Sequence, residues 1–240
     1  MHTQNNRGFI ISMAFATAVV ASVFSSAAFS AVVSSPSLDF NIAAPTSGTV
    51  SFAGGTSALV GTDIQVDTVV GLGTVANDGV TLNCIGCVLN FTTGDYSGAS
   101  GNQWLFGGGG TITINGSLDT NNDGVVDIAN VNLLSGTFNQ ASNVSYDLGV
   151  LIFNIAAGTF ADNKAPGLLA YYGLPNGDYM GGMNISFATA AGVTQNVGDA
   201  FTSTQVLSGD ILNTPVPLPA AFWMLGGGLL ALTGFYRRRG

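Results

Sequence analysis

The chain has no glutamate, and its single histidine is His2. Between residues 31 and 214 the only base is Lys164, set against thirteen aspartates. Each absence excludes a class of chemistry. Without a histidine in this stretch, neither a Ser-His-Asp nor a Cys-His nucleophilic site can be assembled. Without glutamate, the remaining acid/base option is a pair of aspartates of the glycosidase kind. With one base, no surface can neutralise a run of phosphates, which excludes nucleic acid and anionic lipid as partners of this region. Lys, Glu, Arg and Gln are all scarce, so exposed helix faces lack their usual residues. Two cysteines, Cys84 and Cys87, are too few for a tetrahedral zinc site. The glycine runs at 107–110 and 226–228 are followed by no Gly-Lys-Ser/Thr, so neither is a phosphate loop.

What is present begins at the ends. Residues 1–30 have the layout of a secretory signal. Arg7 lies before an apolar core from Phe9 to Phe24, and Ala28-Phe29-Ser30 fits a small-x-small cleavage site. The expectation is a cleaved leader, with an uncleaved N-terminal anchor as the alternative. At the other end, residues 218–236 carry no charge. As a helix they would span about 28 Å, close to the hydrocarbon thickness of a bilayer. Trp223 and Phe235-Tyr236 lie toward the ends of that span, and Arg237, Arg238 and Arg239 follow it. By the positive-inside rule the C-terminus is cytoplasmic. Val216-Pro217-Leu218-Pro219 precedes the span. Its prolines keep the approach extended, and Pro219 suits a first helical turn.

This order of parts resembles the PEP-CTERM sorting signal of Gram-negative bacteria, in its VPLPA variant, with Leu218 where the acidic residue of the family name would stand. The resemblance covers residues 215–240. It implies recognition by an exosortase-type membrane protease/transpeptidase, release or transfer of the exported domain, and association with exopolysaccharide or biofilm matrix. A plain single-span anchor is the alternative.

Residues 31–214 suffice for one domain with a full core. Glycine, threonine, serine, asparagine and valine dominate, and apolar residues alternate in short runs. Strands are expected at Thr49–Phe52, 63–70, 80–82, 88–91, 104–106, 111–114, 144–155, 183–187 and 201–211. A polar glycine-rich loop is expected over 92–103, a hairpin turn at Asn115-Gly116, and a short helical segment around 128–134. Residues 213–215 read as a linker. The fold class is mainly β: a single β-sandwich or jelly-roll-like domain, with a β-solenoid as second choice, followed by one C-terminal transmembrane helix.

Inside this domain the sharpest motif is residues 119–127, DTNNDGVVD. It matches the first nine positions of an EF-hand-type calcium loop. Ligands would be Asp119, Asn121, Asp123, the Val125 carbonyl and Asp127, and Gly124 would allow the sharp turn. Asn130 stands at the twelfth position, where a bidentate carboxylate belongs. The competing reading is a solvated turn. Calcium is the one cofactor the sequence suggests. Cys84 and Cys87 read first as a disulfide rigidifying a turn, with free thiols or a redox pair as alternatives. Trp104, Tyr171, Tyr172 and Tyr179 could stack on sugar rings, although core aromatics are the commoner use.

The functional expectation is an exported, non-enzymatic surface or matrix protein, passing through an inner-membrane intermediate to the cell surface or beyond. The alternative is a carbohydrate-binding module or Asp-dependent glycosidase acting on matrix polysaccharide.

Overall fold

A computed structural model of the chain describes residues 35–44, 46–147, 152–190 and 196–216. The leader at 1–30, the motif residues Pro217, Leu218 and Pro219, the span at 218–236 and Arg237, Arg238 and Arg239 lie outside the described residues. Among the described residues, no helix is long and apolar enough to cross a membrane.

The described chain is mainly β: twelve strands and one short helix. In order these are β1 (Ser37–Ile42), β2 (Thr49–Phe52), β3 (Ala58–Gln65), β4 (Thr68–Leu72), β5 (Thr81–Ser100), β6 (Gln103–Phe106), β7 (Thr111–Asp119), β8 (Ile128–Phe138), β9 (Ser142–Asp147) and β10 (Ile152–Lys164). Helix α1 (Pro166–Tyr172), β11 (Tyr179–Thr189) and β12 (Phe201–Pro215) follow. Every pairing between these strands is antiparallel and all belong to one sheet. The coils of a parallel β-solenoid stack differently, each on the next in parallel.

The sheet returns on itself twice. One closed path runs β12–β1–β4–β5–β7–β8–β10–β11 and back to β12. The other runs β12–β2–β3–β5–β6–β9–β10–β11 and back. The long strands β5, β10, β11 and β12 serve both paths, while short strands replace one another between them. Closure pairs strand edges that would otherwise offer free N–H and C=O groups.

Side chains alternate across this wall as the pleat requires. Met183, Ile185 and Phe187 are buried, as their spacing predicts. Phe153, Phe187, Phe201, Phe52, Phe106 and Trp104 form a continuous aromatic cluster, with neighbouring ring centroids 5.1–5.9 Å apart. A second group joins Phe91, Phe138 and Phe160.

Several local expectations are corrected. Residues 128–134 are strand, not helix, because β7 pairs alongside them, and β10 joins from Leu134 onward. Long-range pairing overrides a weak local preference here. The helix lies instead at Pro166–Tyr172, with Pro166 in its first turn and Gly173 at φ 65° accepting the left-handed C-terminal position. Residues 92–103 are not a loop over most of their length, because β5 continues through them to Ser100. The stretch 63–70 is broken between β3 and β4, and its alternation changes phase: Ile64, Val66 and Val69 are buried, while Val70 is not. Residues 144–155 supply parts of two strands, β9 and β10, and 148–151 lie outside the described residues. Residues 213–215 are not a linker but the end of β12, with Pro215 opposite Tyr179. The Val216 N–H donates to the Asp178 carbonyl at 3.0 Å, so the first residue of the proline motif is attached to the sheet.

Candidate functional site

The aspartate loop joins β7 to β8 and is organised by its own side chains. Asp119 is buried at the end of β7. Its Oδ1 accepts from the N–H groups of Asn121 and Asp123 at 3.2 and 3.3 Å, and its Oδ2 accepts from Gly124 N–H at 2.7 Å. Asn121 Oδ1 accepts from Asp123 N–H at 3.0 Å, and Asp123 Oδ1 accepts from Val125 N–H at 2.8 Å. Asp127 faces a different way. Its Oδ2 accepts from the Thr120 hydroxyl at 2.6 Å and the Thr120 N–H at 2.8 Å, which hold its carboxyl below the usual carboxylate range. Asn130 is tied to Ser117 on β7: its backbone N–H donates to Ser117 Oγ at 2.8 Å and its Oδ1 accepts from that hydroxyl at 3.5 Å.

Asp119, Asn121 and Asp123 are thus gathered on one turn, as the motif predicts, while Asp127 and Asn130 are turned to other partners. The carboxylates of Asp119 and Asp123 already receive backbone donors, and no three acidic, histidine or cysteine side chains form a metal-holding group among the described residues.

The expected Asn115-Gly116 turn is replaced by continuous strand, and the cysteines explain why. Cys87 is buried, and a Cβ on Gly116 would lie 2.5 Å from its sulfur and 2.6 Å from its Cα. Gly116 is the space into which Cys87 packs. The β5–β7 register shifts between Ile85 and Val88, making a bulge around Gly86, whose φ is 63°. Cys84 and Cys87 are both free thiols, so the disulfide expected from their spacing is not formed. Cys87 Sγ donates to the Ser117 carbonyl at 3.4 Å. The Cys84 thiol is pushed up by its hydrogen bond with Cys87 and then by burial. A raised thiol is a poor nucleophile near neutral pH.

Trp104, Tyr172 and Tyr179 are buried within the core and offer no ring face to a sugar. Trp104 Nε1 donates to the Asp199 carbonyl at 3.3 Å. Tyr171 is half-buried, and its hydroxyl donates to the Thr120 carbonyl at 3.1 Å. One outward aspartate on β1 is perturbed: the Asp39 carboxyl is raised by burial and then by nearby Asp210 on β12.

The unusual polar group is one that sequence reasoning missed. Lys164, the sole base between residues 31 and 214, is buried inside the sheet. So are Asp162 and Asn213. Phe160, Asp162 and Lys164 share the inward face of β10, alternating with exposed Ala161 and Asn163. Lys164 Nζ lies 2.5 Å from Asp162 Oδ1 and 3.1 Å from Asn213 Oδ1. It lies 5.0 Å from the centroid of the Tyr179 ring. Asp162 Oδ2 is buried without a hydrogen-bond partner. Burial lowers Lys164 to about 8, against the opposing pull of Asp162. Burial likewise raises Asp162, with Lys164 opposing. Both shifts favour the neutral amine beside the neutral acid. Tyr179 is pushed up to about 12, by burial first and then by Asp162.

The sequence signal for this cluster was faint: the strict alternation of Phe160, Asp162 and Lys164 within a strand. No protein-family model, curated protein or solved structure matches the chain.

Proposed function

We propose that the chain is an exported, non-enzymatic surface or matrix protein, handled through its C-terminal sorting signal by an exosortase-like enzyme. On this reading it is an inner-membrane intermediate with a cytoplasmic C-terminus before it reaches the cell surface, where exopolysaccharide is its neighbour. Its fold is a closed variant of the sandwich or jelly-roll type.

The observation that carries this reading is the distribution of charge. Among the described residues the one base, Lys164, is withdrawn into the interior. The outer surface therefore presents carboxylates and no described cation. Such a surface stays hydrated and repels copies of itself and other polyanions, which suits a secreted matrix component. Calcium belongs to this proposal through the turn of Asp119, Asn121 and Asp123. The Val125 carbonyl and a reoriented Asp127 would complete its oxygen set.

The test is the mature mass and location of the protein in its native cell. A surface or matrix species lacking both the leader and Arg237, Arg238 and Arg239 is the expected result. A membrane-bound species retaining the three arginines would overturn the processing step. The Asp39–Asp210 pair is the one observation favouring polysaccharide hydrolysis. A reducing-sugar assay on the wild type and on Asp39→Asn decides it, and turnover lost in the variant would replace the non-enzymatic reading.

A further inference from the structure

We propose that Lys164 and Asn213 are joined by an autocatalytic isopeptide bond, with Asp162 as the catalytic acid and base. The proposal rests on the buried cluster alone and is independent of where the protein is exported.

Four features converge. First, the reacting groups are in place. Lys164 Nζ lies 3.1 Å from Asn213 Oδ1, so the amine is in contact with the carboxamide it would attack. Second, the sheet is built to permit that approach. Asn213 is on β12 and Lys164 on β10, with β11 between them. Phe160, Gly181 and Asn213 form one row across the three strands. A Cβ on Gly181 would overlap both the Phe160 ring and Asn213 Oδ1. The missing side chain in the middle strand lets the outer two meet over it.

Third, a carboxyl group touches the nucleophile, and its second oxygen, Asp162 Oδ2, is free of hydrogen bonds in the interior. An orphaned buried carboxyl oxygen is costly in a merely structural ion pair. It has a use if the group must carry a proton between two positions. Fourth, the cluster is closed off from solvent, with the Tyr179 ring over the amine and buried Phe160 on the same inward face of β10. Such a site favours the uncharged amine, which is the nucleophilic form.

The step balances without any further reactant. The Nζ lone pair of Lys164 attacks Asn213 Cγ, forming the C–N bond. The protonated Asp162 carboxyl donates to the developing oxyanion at Oδ1. The resulting carboxylate removes a proton from Nζ, and that proton passes to Nδ2. The Cγ–Nδ2 bond then breaks, ammonia leaves, and Asp162 recovers its proton as the carbonyl reforms. Nothing is oxidised or reduced. The product is a neutral secondary amide, so the buried amine that cost desolvation is gone. The bond joins residues 49 apart in sequence and ties β10 to β12, the last described strand.

The experiment uses the full chain, denatured and digested with trypsin. Lys164 is the only lysine, and between Arg7 and Arg237 it is the only site trypsin can cut. The expected result is no cut after Lys164, and a peptide lighter by the mass of one ammonia. Fragmentation should show a branch joining Lys164 to Asn213. A cut after Lys164 with full peptide mass overturns the proposal. Loss of water instead of ammonia also overturns it, since that would join Lys164 to a carboxyl group. Asp162→Asn and Asn213→Ala, shown folded by far-UV circular dichroism, should restore the cut and the full mass. Closure in Asp162→Asn would overturn the role of Asp162. The wild-type mass decides the central point even if a variant does not fold.

Discussion

Gly181 and Asn213 are directly paired across β11 and β12, and the side chain missing from the first is the space occupied by the second. Gly181→Ala forces its new Cβ into the Phe160 ring and Asn213 Oδ1, both of them buried. Overpacking of this kind destabilises by about 1–3 kcal/mol. The adjacent Gly182 has nothing within 4 Å of the corresponding position. Gly182→Ala should therefore remain within about 0.5 kcal/mol of the wild type. Urea denaturation of the two variants side by side measures the contrast. Equal midpoints would show that the row across β10, β11 and β12 is not packed as described.

Asp119 and Asp123 separate the two readings of the acidic loop. Asp119 is buried and accepts from three backbone N–H groups. Its loss should destabilise the protein even in chelator, by about 1–2 kcal/mol, as the loss of a helix N-cap does. Asp123 is exposed and accepts from one backbone N–H, so Asp123→Ala in chelator should cost no more than about 0.5 kcal/mol. Calcium binding adds a second signature: the wild-type melting temperature rises with added calcium and that of Asp123→Ala does not. A wild-type melting temperature indifferent to calcium leaves the loop as a turn stabilised by its own carboxylates.

The cysteines should be chemically quiet in the folded protein. Cys87 is buried against Gly116, and the Cys84 thiol is raised by its hydrogen bond to Cys87 and by burial. Alkylation without prior reduction should be slow in the native state. It should become rapid, at both sites, in guanidinium. Rapid native labelling would contradict the packing around Gly116. Failure to label after unfolding would show a disulfide in place of the two thiols.

These contrasts also explain what could be read from the sequence. Composition and alternation were enough for a mainly β domain, because Met183, Ile185 and Phe187 obey a period set by the pleat itself. The Asn115-Gly116 turn was misread because the dipeptide serves another purpose: Gly116 yields to Cys87, which arrives from β5. The same holds for 128–134, whose strand state depends on β7 alongside, and for 92–103, most of which β5 carries as far as Ser100. The aspartate loop was legible because its side chains act on backbone groups within a few residues. The Asp162–Lys164–Asn213 cluster was not, because it needs β12 brought across a glycine in β11, and nothing local marks that distance.

Lys164 gives the last prediction, through its response to alkali. Its ammonium is disfavoured by burial, so the folded value of about 8 lies below the ordinary 10.5. Between these values the unfolded chain holds a proton that the folded chain has released. The contribution of Lys164 to stability therefore rises as pH increases from about 8 toward 10.5 wherever it is a free amine. Asn213→Ala cannot form the cross-link and keeps the amine, so it should show this rise. Adding Lys164→Met in that background should remove it. Tyr179, the ring beside Nζ, and Cys84 oppose this rise. Both are raised in the fold from ordinary values of 10.0 and 9.0, so each lowers stability as pH climbs through the window. They do so in every variant alike, and the Lys164 contribution is read from the difference between the curves. In the wild-type protein the cross-linked nitrogen is an amide and does not titrate, so its curve should follow that of the double variant. Denaturant midpoints across this range provide the measurement. A wild-type curve that rises like that of Asn213→Ala would mean that Lys164 is still an amine.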